Sequence, residues 1–362
     1  MRTRKLRELV GKTGPFVSVY IDVSHDTEDA ATRNETRWRA LETDLLADGA
    51  DQATVEATRQ AVLDPPAVGR AGRAVVAAHG EVLLSEDLPV PPPADLARAS
   101  ELPYLLPLLS ALEPPIPHVV VLADKTGATL RGIDANGTAT DETVVHGGDQ
   151  PAHHGPGGGR AHGSTENRDD ETVRRNARES AEHAARLAER VGADLVVLAG
   201  TISPRTAIHA ELPAHMSKIS VELDVDAAHT ALDAEDITGG VARILAQCHA
   251  ERDQSLLERL HIGLAHDTAC EGLAKVTDAL RSGAVDTVLV TDPSLADRMV
   301  WLGADLSQIA VAPAVLREMG TEVTEHRADE ALAIAALGTA ADVVVLTGAA
   351  TLSDGVAALL RY

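Results

Sequence analysis

The side chains best suited to chemistry crowd into one stretch. HGGDQPAHHGPGGGRAHG, from His146 to Gly163, sets His146, Asp149, His153, His154, Arg160 and His162 among glycines, with nothing apolar at a regular period. Histidine clusters of this kind can ligate zinc or nickel. The spacing matches no established site, however, and no helix sets a geometry, so solvated histidines are expected and a metal is not. Arg160 can pair with phosphate or stack on a base. Gly157, Gly158 and Gly159 let a backbone take positive φ and thread a narrow space. The glycine strings lack GxxxxGK[ST], and no acidic residue ends a following strand as a dinucleotide site requires, so no nucleotide cofactor is expected.

Asp22, Ser24, His25 and Asp26 form a second polar group. Members of a hydrolase triad converge from distant segments, so four near neighbours after a strand are expected to make a polar turn that caps the next helix. Cys248 and Cys270 lie 22 residues apart without a CxxC pair, which suggests reduced, part-buried thiols. Met216, Met299, Trp38 and Trp301 are expected in the core or at a domain interface.

These groups need elements to hold them. FVSVYID at 16–22 alternates as a strand, and helices are expected over about 30–48 and 51–62. RAVVAAHGEVLLSE reads as two strands across a His79-Gly80 turn, and PVPPPADL as a loop entering another helix. Five prolines, from Pro103 to Pro117, mark the exit from this first domain. HVVVLADKTGATLRGID, at 118–134, reads as strand, turn and strand, after which 135–168 has no period and is expected to be a long loop, poorly ordered between 146 and 164. Asp169 to Val191 reads as a helix with Ala and Leu inward and Arg on other positions, ADLVVLAG as a buried strand, and SPRTAIHAEL as a helix with Ser203 at its N-cap. A helix over about 234–258 leads to a third unit of helix and strand pairs. The expected fold class is α/β, with three consecutive α/β domains at 1–117, 118–259 and 260–362.

The formal charge of −23 argues against general affinity for nucleic acid. The N-terminus differs locally, since Arg2, Arg4, Lys5 and Arg7 face only Glu8 in the first nine residues. These four are candidate RNA contacts. With one Phe, three Tyr and two Trp, base stacking cannot be a general mechanism. No apolar run reaches 18 residues, so a soluble, cytoplasmic protein with no membrane partner is expected.

Three motifs carry a resemblance. EGLAKVTDALRSGAVDTVLVTD is similar to the opening of the C-terminal domain of archaeo-eukaryotic release factors and Pelota, DGVAALLRY to its close, and VVVLADKTGATLRGI to the central-domain hairpin. The resemblance covers residues 118–362, and GPFVSVYID with Ser24 and HDT extends it to the first domain in the bacterial branch of the superfamily. Within that branch it is nearest to actinobacterial relatives of the ribosome hibernation factor Balon. It implies release-factor-like middle and C-terminal domains and a ligand of the bacterial ribosome, touching rRNA of both subunits, rather than DNA. It also implies elongation factor Tu as a delivery partner. His153, His154, Gly157, Gly158, Gly159, Arg160 and His162 would lie toward the peptidyl-transferase centre, and the first domain toward the decoding centre. Release factors carry HGRGGQ where His154 to Gly159 reads HGPGGG, so the glutamine that positions the hydrolytic water is replaced by Gly159. The resemblance therefore implies ribosome occupancy in hibernation or stress, with no catalytic residue for release. A ribosome-rescue peptidyl-tRNA hydrolase using the Gly157–Gly159 loop is the competing reading, and a protein-interaction module off the ribosome a second.

Overall fold

The computed structural model describes residues 6, 9–64, 69–111, 115–124, 127–135, 137–145, 162–224, 231–232, 234–291, 295–346 and 350–361, with 142–145 and 162–173 described by backbone alone. The fold is mixed α/β, and each of three successive segments carries its own sheet. Contacts gather these segments into two units, one of Met1–Glu113 with Ala250–Tyr362 and one of Pro114–His249.

The first segment opens on β1 (Phe16–Asp22), followed by α1 (Ala30–Ala47), α2 (Gln52–Leu63), β2 (Gly72–Ala78), β3 (Glu81–Leu88), β4 (Leu96–Ser100) and α3 (Leu106–Ala111). The sheet order is β3-β2-β1-β4, antiparallel throughout. His79 and Gly80 both take positive φ, 53° and 77°, as a two-residue hairpin turn demands. Alternation along β1 sends Val17, Val19 and Ile21 toward Trp38, Leu41 and Leu45 of α1, and Phe16 and Tyr20 into a second core. One expectation fails here: the chain after PVPPPAD enters a strand instead of a helix. Leu96–Ser100 pairs with β1 from Phe16↔Ser100 to Tyr20↔Leu96, so a free sheet edge decides what local sequence left open.

The middle segment runs β5 (His118–Ala123), β6 (Gly127–Ile133), β7 (Ala139–Val145), α4 (His162–Val191), β8 (Leu195–Gly200), α5 (Ile202–Glu211), a one-turn α6 (Ala214–Ser217), β9 (Ser220–Glu222) and α7 (Glu235–Ala265). Its sheet order is β7-β6-β5-β8-β9, with β5, β8 and β9 parallel. Three expectations are corrected. Residues 139–145 form a strand, because the hairpin that begins at β5 continues and β6 offers β7 a ladder. Residues 162–168, expected as the end of the loop, are the first turns of α4, which starts at His162 instead of Asp169. Helix α5 starts from Thr201 as N-cap rather than Ser203, with no side-chain capping bond. The first half of α7 gives Ile237, Val241 and Ile244 to this unit's core, and its second half gives Leu256 and Leu260 to a core of the other unit.

The last segment runs β10 (Ala269–Glu271), α8 (Leu273–Arg281), β11 (Val285–Val290), β12 (Met299–Leu302), β13 (Ile309–Ala310), α9 (Pro313–Glu318), β14 (Thr324–Arg327), α10 (Ala328–Gly338), β15 (Asp342–Val345) and β16 (Val356–Leu360). It holds a four-stranded sheet, β10-β16-β11-β15, and a three-stranded one, β13-β12-β14. The helix-then-strand pairs at 273–290 and 328–345 fall where the sequence puts them. Its apolar face is continuous with the first segment's: Tyr20, Val76, Leu105, Leu106 and Leu108 share one cluster with Leu332, Ala335, Val288 and Ala358. Two segments expected as separate domains thus pack as one unit. Among the described residues no helix is long and apolar enough to cross a membrane.

Candidate functional site

The glycine-histidine segment is held at both ends by the middle sheet. On one side β7 pairs with β6 along its whole length, from Ile133↔Ala139 to Gly127↔Val145, so the chain is laddered up to the residue before His146. A two-pronged ion pair clamps this hairpin, with Arg131 Nε 2.7 Å from Asp141 Oδ1 and Nη2 2.8 Å from Oδ2. Those bonds hold the Asp141 carboxyl below the usual carboxylate range. Asp134 closes the β6–β7 turn, its carboxylate accepting from the Thr138 amide at 2.8 Å.

On the other side the chain returns as α4. Its buried stripe of Ala177, Ala181, Ala184, Leu187 and Ala188 packs on Val119, Val121 and Leu130 of the sheet. Alanines bring the helix axis close, and Gly132 allows the closest approach: a Cβ there would lie 2.9 Å from Val191 Cγ1 and 3.0 Å from Leu187 Cδ1. The opposite face of α4 exposes Arg174, Arg175, Arg178, Arg186 and Arg190, interleaved with Glu179, Glu182 and Glu189. Arg178 lies 3.4 Å from Glu182 one turn on.

The RNA-contact candidates His153, His154, Gly157, Gly158, Gly159 and Arg160 lie outside the described residues, as do His146 and Asp149 and the expectation of poor order over 146–164 up to 161. His162 opens α4 and is described by its backbone alone. Arg2, Arg4, Lys5 and Arg7 are likewise outside the described residues, while Leu6, Leu9 and Val10 among and after them are helical and buried. Among the described residues no group of three or more His, Cys, Asp or Glu could hold a metal ion.

Asp22, Ser24, His25 and Asp26 make the polar turn the sequence suggests. Ser24 donates its amide to Asp22 Oδ1 at 2.9 Å, His25 bridges to Gly69, and Asp26 pairs with Arg33 of α1 at 3.1 Å. Asp29 occupies the N-cap of α1 without a side-chain cap bond, so the turn is tied to the helix by Arg33 instead. Asp22 also lies 3.0 Å from Arg37. Trp38 is buried and Trp301 half-buried, Met216 is buried, and both cysteines are half-buried and outside any disulfide. Met299, expected in a core or interface, is 41% exposed on β12.

Sequence reasoning passed over Arg205. It is buried, with Nε 2.9 Å from Glu222, Nη1 donating to the Leu223 carbonyl at 2.8 Å and Nη2 2.8 Å from Asp224, so it ties α5 to the β9 edge. The signal was a lone arginine on an otherwise apolar helix face. Arg98 of β4 was also missed; it reaches Asp329 at 3.3 Å and Glu330 at 2.9 Å at the start of α10, and stacks 3.8 Å over the Tyr104 ring.

Residues 117–266, the segment holding β5 to α7, match the family model of bacterial archaeo-eukaryotic release factor family 2. Over 367 aligned residues the chain is 34% identical to Uncharacterized protein Rv2629 of Mycobacterium tuberculosis (strain ATCC 25618 / H37Rv), covering 100% of this chain and 97% of that protein. Uncharacterized protein MT2704 of Mycobacterium tuberculosis (strain CDC 1551 / Oshkosh) matches to the same extent. Among solved structures, Archaeoglobus fulgidus Pelota is similar with 16% identity and a TM-score of 0.40, covering 99% of this chain and 91% of that one. A model of ribosome-bound archaeal Pelota and ABCE1 gives 15% identity and a TM-score of 0.41, covering 100% and 93%.

Proposed function

This chain belongs to bacterial archaeo-eukaryotic release factor family 2, and on that premise we propose that it is a ribosome-associated translation factor, occupying the A site of bacterial ribosomes in hibernation or stress without releasing peptide. The observation that carries this reading is the sequence HGPGGG at His154 to Gly159, set between the end of β7 and the start of α4. Both anchors are fixed to the middle sheet, by the Arg131–Asp141 clamp and by the alanine stripe of α4. From such anchors, a 16-residue segment such as 146–161 can reach at most about 28 Å out and back.

Gly157 and Gly158 keep the small residues that a narrow RNA channel demands, and Gly159 has no side chain to position a water. Losing a positioned polar group at a reacting water costs a factor of about 100 to 1000, whereas binding through His154, Arg160 and the backbone is retained. The basic residues Arg2, Arg4, Lys5 and Arg7 would serve the decoding side, in rRNA contact. Elongation factor Tu would deliver the protein, and closeness to the hibernation factor Balon is part of the same proposal.

Two assays on one preparation test it: pelleting with vacant ribosomes across a salt series, and release of labelled peptide from loaded ribosomes. Salt-sensitive pelleting with background release is expected, and a Gly159→Gln variant should gain release. Release by the unmodified chain at a release factor's rate would make it a rescue hydrolase. Absence from the pellet even at low salt would remove the ribosome from its function.

A further inference from the structure

A second constellation lies in the middle segment, apart from the glycine-histidine stretch. His209 sits in the last turn of α5, Ser217 ends α6 and Glu222 ends β9. Ser217 Oγ is 3.2 Å from His209 Nε2, and His209 Nδ1 is 3.5 Å from Glu222 Oε1. The other glutamate oxygen, Oε2, is held at 2.9 Å by Arg205 Nε. Arg205 is itself buried and fixed by Leu223 and Asp224, so the carboxylate that faces the imidazole is not free to rotate away.

Polarity runs one way through this chain. In the tautomer that carries its proton on Nδ1, the nitrogen 3.5 Å from the carboxylate, Nε2 presents a lone pair to the seryl hydroxyl, which donates to it. Two negative ends surround the ring: the Glu222 carboxylate and the carbonyl end of α5, where a cation is favoured. Both would stabilise the imidazolium formed when Ser217 gives up its proton. His209 is 38% exposed at its side chain and Ser217 half-buried, so a small reactant can reach the hydroxyl. The three residues thus stand in the order nucleophile, base and orienting carboxylate, which is recognised by geometry and not by sequence position.

We propose that Ser217, His209 and Glu222 form an acyl-transfer site acting on carboxylic esters, with Ser217 as nucleophile, His209 as general base and Glu222 as a positioning residue. In the first step Oγ bonds to the ester carbonyl carbon while Nε2 takes the hydroxyl proton. The carbon–oxygen bond to the leaving alcohol then breaks, and that alcohol takes the proton from Nε2, leaving acyl-Ser217. Water repeats the sequence, releasing the acid and restoring the serine. The site makes no use of residues 146–161 and is independent of any ribosome.

The test uses the full chain with an alkyl fluorophosphonate, which traps activated serines, and with p-nitrophenyl acetate as ester. One adduct, located on Ser217 by peptide mass spectrometry, is expected, together with ester cleavage above buffer. Ser217→Ala should lose both, and His209→Gln should slow trapping by about 100-fold or more. Glu222→Gln should slow it by about tenfold or more, with partial rescue in Glu222→Asp. Thermal unfolding of each variant tells loss of chemistry from loss of fold. No adduct on Ser217 in the unmodified chain, or trapping at an unchanged rate in a folded His209→Gln, would overturn the proposal.

Discussion

Glu330 is almost fully buried beside Asp329, with Arg98 and Arg327 as their cationic neighbours. Burial is the larger influence and pushes the Glu330 carboxyl above its ordinary value, while Arg98 pulls it back. The folded chain therefore holds a proton that the unfolded chain releases. That contribution favours folding at low pH and is lost as pH rises from 4.5, the ordinary value, through the raised one. Glu330→Gln should flatten the rise and fall of thermal stability with pH above 4.5, most visibly as a smaller drop between mildly acidic and neutral buffer. A variant whose melting temperature tracks the parent's at every pH would show that another group sets the slope. None of this was legible beforehand, because Arg98 and Glu330 are 232 positions apart and each looks like a surface charge. Arg361 illustrates a half-legible residue. The closing Arg-Tyr stood out as part of a signature, but not that Arg361 donates to the carbonyls of Gly283, Thr339 and Ala340, capping the ends of α8 and α10.

Elements were more legible than contacts. Runs with a period, such as FVSVYID and the two helix-then-strand pairs after residue 270, fall where their periodicity puts them, and DDETVRRNARESAEHAARLAERV is helical throughout, although its helix starts earlier, at His162. Strands whose reason is a neighbour did not show: Leu96–Ser100 and Ala139–Val145 exist because β1 and β6 had a free edge. The candidate site was legible in composition and in the body of the helix that follows it, but not in β7, the strand that leads into it. Backbone crowding makes a prediction at this scale. Gly200 ends β8 at φ +98°, where a Cβ would lie 2.2 Å from the Ala123 carbonyl oxygen on the paired strand. The neighbour is backbone and cannot swing aside, so Gly200→Ala should destabilise the middle unit by about 3 kcal/mol or more. Urea unfolding followed by circular dichroism measures this, and a loss under about 1 kcal/mol would mean that the strand end relaxes without strain.

At the scale of the molecule, periodicity along the chain could not say which apolar faces meet. Leu105, Leu106 and Leu108 read as an exit from the first domain, yet they are buried with Leu332 and Val288 in a core shared across both ends of the chain. A fragment of residues 1–113 should therefore lack fixed tertiary structure: it would expose that face along with Tyr104 and Leu6. Weak near-ultraviolet dichroism and dye binding are expected, and a sharp, cooperative melt would show that the first sheet is self-sufficient. The shared core also sets a schedule for the protein's own manufacture. The ribosome delivers Glu113 early, but that segment's partner surface ends at Tyr362, 249 residues later, a wait of about 12 to 50 s at ordinary elongation rates. Throughout it the nascent first sheet must survive with one greasy side uncovered, while the middle unit, contiguous in sequence, can finish folding on the way. Slowing translation of the last third should thus raise chaperone demand for this chain more than for one built of domains that close in order.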